Sequence, residues 1–221
     1  SPSTVYTTDT ITATATASDP DQGQTLSIFY EWHVIDADTG ADSVTGSGYG
    51  VDTYTGFSKD DEVYVIVTAN DNIDHSAPVT SSSITISNTA PTAPVVSISP
   101  DPATVGEDDL TCLVNTESTD DDGDSVVYTY VWTDDSGTVQ QTTTETSALS
   151  DTVSGSVTSA GTWTCEVTSN DGTNTGLSGS AVVAVEEDCQ SLSFNGQGDY
   201  VENNSFQLSN GGTEFTVSVW V

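Results

Sequence analysis

A chain of 221 residues and 22.9 kDa has room for two domains of ordinary size or one large β sandwich. One Lys or Arg stands against 34 Asp and Glu, giving a net charge of −33 and an isoelectric point near 4.1. Such a polyanion is repelled by nucleic acid and by anionic membranes, which sets both aside as partners, while crowded carboxylates attract divalent cations. A plainer use of the same charge is to keep a long extracellular protein soluble in salty water.

Ser, Thr, Gly, Asp and Val dominate, and β-branched residues fit a pleated surface better than a helix. With no sustained i, i+3, i+4 apolar spacing, the chain is expected to be all-β. No apolar run is long enough to span a membrane, and no basic-plus-apolar leader opens the chain. Ser1 reads as lying inside a domain, so both ends are expected to be cuts through a longer polypeptide.

The first segments in chain order are an alternating strand in "DTITATATASD" (9–19) and an acidic loop, "SDPDQGQ" (18–24). A strand carrying Trp32 in "FYEWHV" follows, then a turn at Asp38-Thr39-Gly40 and a second turn with Lys59 in "SKDDEV". A late strand, "VYVIVTANDN" (63–72), ends on Asn70 and Asp71. "NTAPTAP" (88–94) comes next, where Pro91 and Pro94 favour an extended connector that spaces two domains end to end.

Beyond it the same order recurs. "WTCEVTSNDG" (163–172) aligns with 63–72 at an offset of one hundred, and Trp132 keeps that offset from Trp32. "TDDDGDS" (119–125) matches 18–24, and "DDLTCLVNTESTD" (108–120) matches 9–19 with two residues inserted. The chain is a tandem duplication. Each unit reads as about seven short strands separated by turn signals such as Asp122-Gly123 and Asp171-Gly172, the pattern of an immunoglobulin-type sandwich. Cys112, Trp132 and Cys165 fall in the order expected of an inter-sheet disulfide with a Trp packed on it, worth roughly 4 kcal/mol by loop entropy. The alternative is two buried free thiols. Ala13 and Val65 hold the matching places in the first unit, and Cys189 is left over. Trp163 occupies the place where such domains often keep a corner tyrosine, and Tyr64 is one residue displaced from it in the other unit.

The second unit, with "PTAPVVSISPDPATVGEDDLTCLV", "DDDGDSVVYTYVW" and "GTWTCEVTSNDG", resembles the Ig-like (PKD- or cadherin-like) repeats of large microbial cell-surface proteins. The resemblance covers 91–187 well and 1–88 more loosely, and it implies spacers, stalks and adhesive fibres. "FNGQGDYV" and "FTVSVWV" resemble the first strands of a laminin-G/concanavalin-A-like jelly roll, whose ligand residues sit on later strands. The expected organisation is therefore two sandwiches, 1–88 and 95–187, a linker at 89–94, and an incomplete jelly roll at 188–221.

Asp120, Asp122 and Asp124 in the second unit, with Asp19 and Asp21 in the first, precede the Trp-bearing strands. Asn170 with Asp171, and Asn70 with Asp71, follow the late strands, and in a sandwich these loops share one end. Convergent carboxylates repel unless a cation such as Ca2+ lies between them, so these nine residues form the candidate cation set. The alternative is Asp-rich turns bonded to their own backbone. Lys59 and His33 read as surface residues, and catalysis has no supporting motif. Asn203 heads a formal glycosylation triplet, "NNS".

Taken together, the expected function is non-enzymatic: a structural or adhesive part of an extracellular or cell-surface stalk, fibre or filament. Its partners would be further copies of the chain or cell-surface proteins and glycans. The competing functions are a glycan- or protein-binding module presented by Ig-like spacers, and an accessory region of a secreted hydrolase.

Overall fold

A computed structural model describes residues 4–20 and 24–187. Asp21, Cys189, Asn203 and the jelly-roll segment 188–221 lie outside the described residues. Among the described residues there are sixteen strands and one 3-10 turn, Gly155–Val157. Among the described residues no helix is long and apolar enough to cross a membrane.

The first sandwich holds β1 (Val5–Tyr6), β2 (Ile11–Thr12), β3 (Ser27–Ile35), β4 (Asp42–Tyr49), β5 (Thr53–Tyr54), β6 (Glu62–Asn70), β7 (Val79–Thr80) and β8 (Ile84–Ser87). One sheet runs β1-β8-β6-β3-β4, with β7 also on β6, and the other is the pair β2-β5. β3 buries Tyr30, Trp32 and Val34, which alternate with less buried Glu31, His33 and Ile35, as period-2 side chains must. These meet Val63 and Val65 of β6, Ile11 of β2, Phe57 and Ile86 in one core.

The second sandwich holds β9 (Val95–Ser99), β10 (Ala103–Thr104), β11 (Leu110–Thr116), β12 (Val127–Thr133), β13 (Val139–Thr146), β14 (Ser150–Val153), β15 (Gly161–Asn170) and β16 (Thr175–Glu186). Its sheets are β10-β16-β15-β12-β13 and β14-β11-β9. β12 and β15 supply alternating apolar rows, Tyr128, Tyr130 and Trp132 against Trp163, Cys165 and Val167, all at most 2% exposed. The Cys112–Cys165 disulfide joins β11 to β15 through this core.

Three placements follow from the duplication. Trp32 and Trp132 are both buried, and each satisfies its indole N–H, on the Val51 carbonyl at 2.9 Å and the Asp151 carboxylate at 2.8 Å. Trp163 sits in the corner position, its N–H donating to the Ser159 carbonyl four residues upstream at 3.0 Å. Tyr64, displaced by one residue, points to the other face of the sheet, and Val63 takes the core place at 0% exposure.

The two sandwiches differ at one edge. In the second, β9 pairs antiparallel with β11 and lowers Val96 and Ile98 onto the core. In the first, no described strand pairs with the outer edge of β2, and the core is correspondingly smaller.

The linker departs from expectation. Pro91 and Pro94 are buried rather than suspended between domains. The Thr92 N–H donates to the Thr119 carbonyl at 2.9 Å, and the Ser169 hydroxyl donates to the Thr92 carbonyl at 3.0 Å. Gly176 and Gly179 on β16 admit the chain: a Cβ at either would overlap the carbonyl oxygen of Pro91 or Pro94. Proline stiffness was legible in the sequence; the glycine track that receives it lies more than eighty residues away.

Candidate cation site at the joint between the sandwiches

The "DDDGD" turn builds the site. Asp120 Oδ1 accepts the N–H groups of Asp122 at 2.9 Å and Asp124 at 3.2 Å, a side-chain turn that fixes the loop before β12. Gly123 takes φ +82°, which a residue with a Cβ rarely adopts. The loop thus closes with Asp120, Asp122 and Asp124 on one side, each offering a carboxylate oxygen within 4.8 Å of the others. In surface-like to water-like screening, each such pair repels by roughly 1 to 4 kcal/mol. The turn's own geometry imposes that repulsion.

The first sandwich faces this triad. Thr7 donates its hydroxyl to Asp122 Oδ1, the Thr89 N–H donates to Asp122 Oδ2, and the Lys59 ammonium pairs with Asp124 Oδ2. Asn88 Nδ2 donates to Asp171 Oδ2 at 2.8 Å. The acidic loop and the Asp171 loop therefore share the end of the sandwich that meets its neighbour.

Asp171 is doubly employed. Its Oδ1 accepts the N–H groups of Thr173 and Asn174, both at 2.6 Å, while Oδ2 takes Asn88. Burial raises its pKa, but the Asn174 N–H, the Asn88 amide, the Thr173 N–H and the Lys59 charge outweigh that and hold it below the usual carboxylate value. Asn170 is spent inside its own loop, accepting from Gly172 and donating to Thr175.

At the equivalent end of the first sandwich, Asp71 accepts from the N–H groups of Ile73 and Asp74 in the same turn. With its amide nitrogen facing the acceptors, Gln24 bridges Asp71 Oδ2 at 2.9 Å and Asp19 Oδ2 at 2.6 Å. Asn70 bonds Asn72, Tyr49 and His75. Among the described residues an amide stands between the two acids there. Among the described residues the triad in the second sandwich is the one group of three or more acids or other metal ligands drawn close together.

A second feature marks the joint. The buried side-chain atoms without a hydrogen-bond partner among the described residues are Asn88 Oδ1, Thr89 Oγ1, Ser118 Oγ and Asp120 Oδ2. All are oxygens, in residues 88–89 and 118–120; Thr92 bonds Thr119 and Thr89 bonds Asp122 beside them. Asn88 is only 9% exposed. Buried polar atoms are almost always paired, with protein or with water, and of these four Asp120 Oδ2 belongs to the acid triad itself.

Lys59, expected to be a solvated turn residue, is instead held at this joint with its side chain 24% exposed. Lys59, Asn88 and Thr89 escaped sequence reasoning because nothing local ties them to residues 120–124. The available signal was that Lys59 is the chain's sole Lys or Arg.

A separate polar cluster occupies the outer face of β3, β4 and β6. His33, expected at an ordinary surface position, has a side chain 13% exposed and carboxylates on both ring nitrogens: Asp42 on Nδ1 at 3.0 Å and Glu31 on Nε2 at 3.2 Å. Tyr64 stacks on the ring and donates its hydroxyl to Asp42 at 2.6 Å. A neutral imidazole has one N–H and satisfies one carboxylate, whereas the imidazolium satisfies both. Burial pulls the His33 pKa down, but the hydrogen bonds to Asp42 and Glu31 and their charge outweigh it and leave it above 6.5. A raised folded-state value means the stabilisation is fully present below 6.5 and is lost as pH rises through the folded pKa. The first sandwich should therefore melt at a lower temperature at pH 8.5 than at pH 6, and His33→Gln should flatten that dependence. Melting curves of both proteins across this range check it; parallel curves would refute the clamp.

No protein-family model matches the chain, and no curated protein matches it. Among solved structures it is similar to a segment of two fibronectin type-III domains from chicken tenascin, at 13% identity and a TM-score of 0.48, covering 83% of this chain and 95% of that one. It is also similar to the FN1–FN3 domains of chicken CNTN1, at 14% identity and a TM-score of 0.36, covering 76% and 59%. The chicken interferon gamma receptor alpha chain aligns at 11% identity and a TM-score of 0.43, covering 76% and 88%. The architecture, two β sandwiches in series, rests on the strand pairing described above.

Proposed function

We propose that the chain is a non-enzymatic structural segment of an extracellular or cell-surface protein, a spacer of two sandwiches whose joint is set by a bound divalent cation, Ca2+ by its preference for oxygen. The observation that carries this reading is the convergence of the Asp120, Asp122 and Asp124 carboxylates at the joint, where Asp120 Oδ2 is buried without a partner among the described residues and Thr7, Thr89 and Lys59 reach the triad from the other side. A cation there would draw ligands from both sandwiches and hold them at a fixed angle. The Cys112–Cys165 disulfide suits an oxidising compartment, where Ca2+ is also abundant.

Calorimetric titration of Ca2+ into the chelator-treated protein tests this directly. One site is expected, with a dissociation constant of roughly 0.1 to 1 mM, the range of extracellular modules. It should be lost in an Asp120→Asn, Asp122→Asn double variant that retains both melting transitions. Small-angle scattering should show the spread of molecular dimensions narrowing on Ca2+ addition. Absence of binding, or binding that survives the double substitution, would sink the proposal.

A further inference from the structure

We propose that Lys59 is a tethered counter-ion that competes with the divalent cation for Asp124, so that the joint is held by ammonium when the cation is scarce and by the cation when it is plentiful. This rests on the cation reading above and adds how that site is regulated.

The placement carries the inference. A chain with 34 acids and one Lys or Arg puts that one cation on the acid triad, from the other sandwich. The pair spans 65 residues of sequence, and both partners are less than one-third exposed. Lys59 stands among acids, with Asp60 and Asp122 as well as Asp124 acting on it, and its charge also reaches Asp171.

Charge sets the two occupants against each other at one carboxylate. An ammonium is a compact point charge with three donors and no acceptor, so it neutralises a carboxylate but offers nothing to a metal. An Asp124 carboxylate whose charge is shared with Lys59 offers less to a cation, so the two compete for it. Two cations side by side would also repel each other. Asp120 Oδ2, on the same triad, is an acceptor that the ammonium leaves without a partner and that a cation would use. The ammonium therefore holds the joint only in part, and cation binding is an exchange in which Lys59 is displaced.

The test is Ca2+ titration by calorimetry of the wild-type protein, Lys59→Gln and Lys59→Arg. Lys59→Gln removes the charge and should bind Ca2+ about tenfold more tightly, the scale of one nearby unit charge removed at partial screening. Lys59→Arg keeps the charge and should stay near wild type, separating charge from packing. Without Ca2+, scattering from Lys59→Gln should show a broader spread of dimensions than wild type, and saturating Ca2+ should bring the two together. Equal Ca2+ affinity in wild type and Lys59→Gln overturns the competition while leaving the cation site standing. Absence of binding in all three overturns both. Weaker binding in Lys59→Gln also overturns it, because Lys59 would then support the site rather than compete for it.

Discussion

Removing the Cys112–Cys165 bond destabilises the second sandwich by about 4 kcal/mol and leaves the first nearly untouched. The bond closes a separation of 53 residues, and loop entropy of that length sets the figure. Both cysteines are 0% exposed in a core that includes Trp132 and Trp163, so the Cys112→Ala, Cys165→Ala form also loses some packing. For a domain of this size the loss lowers its melting temperature by roughly 15 to 30 °C. Calorimetry with and without reductant should show one transition moving and the other fixed. Two transitions that fall together would mean that the sandwiches unfold as one cooperative unit and that the joint, not the bond, sets stability.

Replacing Gly179 by Val, the residue its counterpart Val79 already is, has the second large effect. The new side chain overlaps the Pro94 carbonyl and clashes with backbone, which yields less readily than a flexible side chain. Overpacking of this kind costs about 3 kcal/mol. Here the strain is relieved by lifting the linker, which breaks the Thr92–Thr119 hydrogen bond and separates Thr89 from Asp122. Amide exchange at Thr92 should accelerate strongly, and proteolysis should appear within 88–94. The reverse change, Val79→Gly, should do little, because Val79 is 63% exposed. If exchange at Thr92 is unchanged in Gly179→Val, the linker is not held by the glycine track.

Much of this architecture is written at short range. Period-2 alternation around Trp32 and Trp132, and an offset of one hundred carried through the late strands, place both Trp-bearing strands in cores. The Cys112, Trp132, Cys165 order anticipates the bond that the structure forms. The Asp-Gly in "DDDGD" turns the chain so that three carboxylates share a side, which the spacing alone implies. What the sequence did not show depends on one element meeting another across the fold. Lys59 reaches Asp124 because two sandwiches pack end to end, and no local pattern encodes that meeting. His33 becomes clamped because strand register puts Tyr64 beside it and Asp42 on the diagonal. A period-2 reading assigns His33 to the outer face correctly and says nothing of its neighbours. The linker's prolines announced stiffness, but docking depends on Gly176 and Gly179.

The parallel pairing of an early strand with the closing strand of each sandwich has a mechanical meaning. β1 lies beside β8, and β10 beside the end of β16, running the same way. Tension applied through the two ends drives such neighbours in opposite directions along their length, loading their hydrogen bonds together in shear rather than peeling them one by one. Should the second sandwich yield, the Cys112–Cys165 bond keeps the 53-residue separation from paying out, about 180 Å of chain at full extension. The first sandwich, with Ala13 and Val65 in the matching places, has no such stop. Once unfolded, the second sandwich can lengthen only by the chain outside the bond, whereas the first can extend along its whole length.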